Sequence, residues 1–298
     1  MPEVLNRPVT VHFRGDWGQA NMHRICGWLA QEMGDRVPEG SRFAIWSGRG
    51  GHDQVAALLA GAADIAIITP TAAVRELYGD DDRLRCLGVI GQRDRLVVAV
   101  DAALSAETVA DLDGVTVATS PDDGVNLVGH LAHRVLQRAG KLTFLYEERP
   151  FPAVHRFARG EADVLVHEAI MMPAWQRVAD RRPVRYLPLD EPGWPAATVE
   201  AGYLPGLTED LRTLDFSDFA VLCRSDLADD IAGLATWCMV KTRRALEVQY
   251  AHIPADRSPL TYPLVPADMA RTPIPLHPAA AAVYAEPDDA LDDALIWS

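Results

Sequence analysis

Short apolar runs rich in β-branched residues alternate along the chain with stretches whose apolar positions recur every three or four residues. This is the pattern of strands and helices in an α/β protein with a largely parallel sheet. Val9-Thr10-Val11 leads through Asp16-Trp17-Gly18 into a stretch with Met22, Ile25, Leu29 and Met33 on one helical face. The plan then recurs, as Val115-Thr116-Val117 leads through Asp122-Asp123-Gly124 into a stretch with Val128, Leu131, Val135 and Leu136 on one face. Gly61-Ala62-Ala63-Asp64-Ile65-Ala66-Ile67 is echoed by Gly160-Glu161-Ala162-Asp163-Val164-Leu165-Val166, a helix end running into a strand in both places. The echoes are offset by 106 and 99 residues, which predicts two lobes of one design.

The apolar run Leu96–Val100 follows the polar Gly91–Arg95 and is predicted to carry the connection between lobes. Residues 1–95 and 215–298 are assigned to lobe I and residues 96–214 to lobe II, with crossovers near 95–100 and 195–218. A strand is expected around Val184–Leu187, and Pro192, Pro195 and Pro205 then predict a long irregular return. A strand at Phe219–Cys223 and one long helix from about Leu227 to Tyr250 complete the pattern, rejoining the first lobe.

Composition narrows the function classes. Of 298 residues, 49% are hydrophobic and 23% charged, as in a chain that buries a sizeable core. Net charge is −14, so the overall field opposes binding to phosphate backbones, and nucleic acid is not an expected partner. Cys26, Cys86, Cys223 and Cys238 form no C-x-x-C pair and lie in apolar segments, which predicts buried thiols rather than zinc or disulfides. No run reaches the ~18 apolar residues of a membrane span, and residues 1–9 contain no signal-peptide core. The sequence as written therefore predicts a cytoplasmic protein, periplasmic if a leader was removed.

Ligands of open α/β sheets bind beyond the carboxyl ends of the strands, which selects the candidate residues. The first lobe offers Arg14, Asp16 and Trp17, the loop Ser47-Gly48-Arg49-Gly50-Gly51-His52, and Thr69 with Thr71. The second offers Ser120, Asp122, Asp123 and Asn126, then His167 and Glu168 after Val164-Leu165-Val166. The glycine loop suits an approach of backbone N–H groups to a carboxylate, with Arg49 adding a charge-assisted fork; a plain strand-to-helix turn reads the same. Asp122 and Asp123 suit either helix capping or contact with an amine or hydroxyl-rich ligand. His167 beside Glu168 offers a near-neutral imidazole for proton transfer or a simple polar contact, and His52 has the same status. Trp17 is the candidate for stacking on a ligand, whereas Trp175, Trp194, Tyr203 and Trp237 are expected in packing. His130 and His133 are three apart on a helix without a third local ligand, so a solvated face is expected and no metal site. His277, between prolines, is expected to be structural. No hydrolase motif and no cofactor fingerprint is present.

Several fragments together resemble a known family. Besides the two Gly-x-Ala-Asp strand entries they are Asp111–Val117, Tyr186-Leu187-Pro188-Leu189-Asp190, Ala201-Gly202 with Pro205-Gly206, and Pro273–Pro278 before Ala282-Val283-Tyr284. In order and spacing, over nearly the whole chain, they resemble the TAXI-type solute-binding proteins of TRAP transporters. The resemblance implies the type II periplasmic-binding-protein fold, with a ligand cleft between two lobes. It also implies capture of a small organic acid or amino acid for delivery to TRAP membrane subunits, a partnership open only to an exported form. The loops at Arg14–Asn21 and Ser120–Asn126 differ from the small, Gly/Ser-rich loops of that family. A second reading therefore stands beside the first: a cytoplasmic lyase, dehydratase, isomerase or decarboxylase-like enzyme on the same fold, with His167 and Glu168 as its catalytic pair. Neither reading calls for a cofactor.

Overall fold

The computed structural model describes residues 4–16, 21–122, 127–170 and 172–287. The chain starts β1 (Thr10–Gly15), α1 (Asn21–Gly34), β2 (Arg42–Ser47), α2 (His52–Leu59), β3 (Ile65–Ile68), α3 (Thr71–Tyr78) and β4 (Leu84–Ile90). It continues β5 (Arg95–Asp101), β6 (Val115–Thr119), α4 (Leu127–Leu136), β7 (Leu142–Tyr146), α5 (Pro150–Ala158), β8 (Val164–Glu168) and α6 (Met172–Ala179). Next come β9 (Val184–Leu187), β10 (Ala196–Val199), β11 (Leu211–Asp215), β12 (Phe219–Arg224), α7 (Asp229–Lys241), α8 (Arg243–Val248), α9 (Pro266–Met269) and α10 (Pro278–Tyr284). These elements form two compact units, Met1–Arg93 with Ser217–Ser298, and Asp94–Phe216.

The first unit is built on a sheet of order β2-β1-β3-β12-β4, parallel except for β12. Alternation in β1 turns Val11 and Phe13 into the core, and Leu29 and Met33 of α1 join them. Helix α7 is apolar on nearly every side because it is buried from Ile231 to Lys241. The second unit repeats the plan, with β7-β6-β8 parallel and β5 antiparallel to β8 and to β9; β11 and β10 extend the sheet beyond β5. Val97, Leu165, Phe157, Trp175 and Val178 pack its core.

The repeated Gly-x-Ala-Asp segment does the same work in each unit. Gly61 and Gly160 end their helices at φ +69° and +77°, the left-handed region where a missing Cβ removes the steric cost. The Asp that closes the segment then clamps the neighbouring strand. Asp64 N–H donates to His12 O and its Oδ2 accepts from His12 N–H, both at 2.8 Å. Asp163 makes the same pair with Thr116, again both at 2.8 Å. An arginine completes each end. Arg224 donates to Leu58 O and Ala63 O, and Arg182 donates to Phe157 O and Ala162 O, supplying charged donors to carbonyls at the helix ends.

Three sequence expectations are corrected. The return after Pro192 is not irregular: Ala196–Val199 and Leu211–Asp215 pair with each other as an antiparallel ladder, and β11 pairs with β5. Prolines flank these strands rather than interrupt them, so the ladder loses no donor. The helix expected over 227–250 is two helices, broken at Thr242, whose hydroxyl donates to Cys238 O at 2.8 Å. Residues 96–100 are not a connector, because β5 lies inside the second sheet, paired with β8 on one side and with β9 and β11 on the other. All four cysteines are free and buried, as packing thiols are. Among the described residues, no helix is long and apolar enough to cross a membrane.

Candidate functional site

Strands β1, β2 and β3 run parallel, so their carboxyl ends share one edge of the first sheet. That edge carries Arg14 near the end of β1, Asp16 beyond it, the Ser47–Gly51 turn before α2, and Thr69 after β3. The turn is held to β1 by Gly48 N–H donating to Gly15 O at 2.8 Å. Asp53, in the first turn of α2, folds back over it. Its Oδ2 accepts from Arg49 N–H at 3.0 Å and from Arg14 Nη2 at 2.5 Å, which brings Arg14 and Arg49 together. Burial alone would raise the Asp53 pKa; the Arg14 and Arg49 bonds and charges outweigh it and hold the carboxyl below its ordinary value. The Arg49 N–H, expected to face a ligand, is thus already taken by this carboxylate.

Beside it lies a residue that the pattern of the sequence did not single out. Gln54 is 0% exposed, and neither its Oε1 nor its Nε2 has a hydrogen-bond partner among the described residues. The Nε of Arg14 is buried and unpartnered there too. These groups converge where Gly48 lacks a side chain. A Cβ built on Gly48 would meet Gln54 Oε1, with Asp53 Oδ2 at 2.7 Å and Arg14 Nε at 2.9 Å. The sequence signal for Gln54 was its place just after a glycine turn and an acidic first-turn residue, but its burial is a tertiary fact.

The remaining first-unit candidates do not all join this cluster. His52, half-buried at the start of α2, contacts the Tyr78 hydroxyl through Nδ1, with the rings edge-on at 5.5 Å. Burial, with Asp81 nearby, pushes the Tyr78 hydroxyl up to about 12. Thr69 is buried at the end of β3. Asp16 is 3% exposed; burial pushes its pKa up to about 7 against the pull of the His23 N–H, which donates to its Oδ1 at 3.2 Å. Trp17 lies outside the described residues.

The second unit places its candidates at the equivalent edge, after β6 and β8. Ser120 is buried, and Asp122 is exposed with Oδ1 3.6 Å from His130 Nδ1. Asp123 and Asn126 lie outside the described residues. His167 is buried in β8, and its Nδ1 accepts from Glu168 N–H at 2.6 Å. The expected near-neutral imidazole is corrected: burial lowers the pKa to about 4, so the ring is neutral over the physiological range and poorly suited to take up a proton. Glu168 is half-buried, and its charge, after burial, helps hold the fully buried Asp94 well above the usual carboxylate range. Asp94 Oδ1 accepts from Arg95 N–H at 2.7 Å and Ile170 N–H at 3.1 Å, tying the start of β5 to the turn after β8.

The helix expected to be solvated at His133 is instead packed: that imidazole stacks on Phe144 and Tyr146, with ring centroids at 4.6 and 5.6 Å, because β7 presents both rings on one face. Among the described residues no cluster of His, Cys, Asp or Glu has the makings of a metal site. His277 is buried, contacts Leu227 O through Nε2 at 3.0 Å and caps α10, a structural role. Trp175, Trp194, Tyr203 and Trp237 are buried as packing residues.

No protein-family model matches the chain, and no curated protein matches it. Solved structures do. XAC2383 from Xanthomonas citri bound to ATP is similar with a TM-score of 0.55 at 14% identity, covering 93% of this chain and 97% of that one. The chloride-bound form of the same protein gives 0.54 at 15% identity, covering 92% and 97%. A substrate-binding protein of an amino acid ABC transporter gives 0.47 at 14% identity, covering 80% and 96%. The strand order of both sheets and the likeness to XAC2383 over most of both chains define a mixed α/β fold of two compact units.

Proposed function

We propose that the chain is a solute-binding protein that captures a small polar metabolite without covalent chemistry, in the manner of the TAXI-type receptors its sequence resembles. The observation that carries this reading is the set of polar groups left without partners at the carboxyl edge of the first sheet, Gln54 and Arg14 Nε. A buried polar group lacking a hydrogen bond costs roughly 1–3 kcal/mol, and such a cost is offset when a ligand supplies the bond. The protein similar in fold, XAC2383, has been solved with ATP and with chloride bound, which accords with noncovalent capture on this scaffold. The proton-transfer reading is the weaker one, since His167 is held neutral in the strand. Delivery to a TRAP permease belongs to the proposal only for an exported form.

Calorimetric titration with a panel of amino acids, dicarboxylates, carboxamides and polyols tests the reading. One class should bind saturably with one site and be recovered chemically unchanged. Arg14→Ala should weaken that binding at least ~10-fold, about 1.4 kcal/mol. Conversion of the bound compound into a product, or no saturable binding to any class, would overturn it.

A further inference from the structure

Resting on that reading, we infer that the Gly48 turn selects a carboxamide-like group, one that presents a hydrogen-bond donor and an acceptor side by side, rather than a carboxylate. Three polar atoms of the site remain to be satisfied. Gln54 Oε1 is an acceptor and Nε2 a donor of two hydrogens; Arg14 Nε is a further donor; none has a partner among the described residues. The positive charge of Arg14 is already answered by Asp53, whose Oδ2 takes both Arg14 Nη2 and Arg49 N–H. Asp53 thus takes up the charge of Arg14, although the glycines of the turn and its place before a helix resemble those of an anion receptor.

A carboxylate entering here would satisfy Nε2 and Arg14 Nε. It would also set its oxygens against Gln54 Oε1 and the Asp53 carboxylate, two acceptors that converge on the same built position at Gly48. An ammonium group fails in the opposite way, with nothing to accept from Nε2 and Nε. A primary amide, an amidic ring edge or a ureido group meets all three: its carbonyl accepts from Gln54 Nε2 and Arg14 Nε, and its N–H donates to Gln54 Oε1. Gln54 itself cannot turn away to find solvent, because it is fully enclosed.

The discrimination follows from unpaired groups more than from attraction. A site whose buried polar atoms stay unpaired with the wrong ligand rejects it far more strongly than an apolar pocket does. The test uses matched probes on the full chain by calorimetry: L-asparagine against L-aspartate, succinamate against succinate, and nicotinamide against nicotinate. The carboxamide member of at least one pair should bind tenfold or more tightly than its carboxylate partner. Gln54→Met, of equal length and without the amide, should abolish the preference while its circular dichroism stays that of the wild type. Gln54→Glu, which exchanges the donor for a second acceptor, should abolish it as well and gives an independent variant should the first fold poorly. Tighter binding of the carboxylates, or an unchanged preference in both variants, would overturn the assignment and leave small-metabolite binding standing. Binding of none of the six probes would also overturn it, and binding by the wider panel then decides whether the solute-binding reading falls with it.

Discussion

Replacing Asp16 by Asn should change how the stability of the first unit depends on pH. Asp16 is 3% exposed, and its carboxyl titrates near 7 in the fold against 3.8 ordinarily, chiefly because burial penalises the charged form. Between these values the folded state holds a proton that the unfolded chain has lost, so stability falls as pH rises through the interval and levels off above about 7. At ~1.4 kcal/mol per unit the full interval amounts to about 4 kcal/mol, of which about 3 kcal/mol is lost between pH 5 and 8. The Asp16→Asn side chain has no such proton to lose, so the wild type should weaken relative to the variant by that amount over this range. The difference between the two proteins isolates Asp16 from other titrations, including His167, whose lowered pKa works in the opposite direction by costing stability as pH falls below 6.5. Urea unfolding followed by tryptophan fluorescence suits the measurement, since Trp28 and Trp237 lie in this unit's core. A stability gap that stays constant within ~0.5 kcal/mol from pH 5 to 8, or that changes in the other sense, would refute the reasoning.

Gly48→Ala should destabilise the first unit by about 1–3 kcal/mol, since the new methyl displaces Gln54, Asp53 or Arg14, and wild-type stability in chemical unfolding would count against the described convergence. Asp53→Asn should cost about 1–2 kcal/mol near neutrality by leaving the half-buried Arg14 with a weaker partner. Because the Asp53 pKa is lowered in the fold, the wild-type advantage is present above its ordinary 3.8 and should vanish as pH falls through the lowered value in acid titrations. Arg224→Met and Arg182→Met should each take a charged donor from two helix-end carbonyls and cost about 2 kcal/mol, with faster hydrogen exchange near residues 57–64 in the first and 156–163 in the second.

The alternation of apolar runs and the Gly-x-Ala-Asp echo determined the α/β class and the duplicated plan, because both are local. A left-handed glycine and an aspartate that clamps the next strand act within a few residues of themselves, and their signature is written in sequence order. The same locality placed Arg14, Arg49, His52, Ser120 and His167 near strand carboxyl ends. What those residues face was decided by elements far apart in sequence. Arg14 meets Asp53 only because β1 and β2 pair in parallel and α2 starts at their common edge. The arginines that close the two duplicated helix ends come from β12 and from beyond α6, so no repeat in the sequence announces them. The apolar positions run on across Thr242 and so predict one helix over 227–250, whereas whether a helix continues there depends on what it packs against. His167 looked reactive because imidazole in water titrates near neutrality; the surrounding strand removes that water, and desolvation depends on atoms that sequence order does not bring together. Gln54 is the clearest case: an amide is unremarkable in a helix pattern, and only the enclosing fold leaves it without a partner.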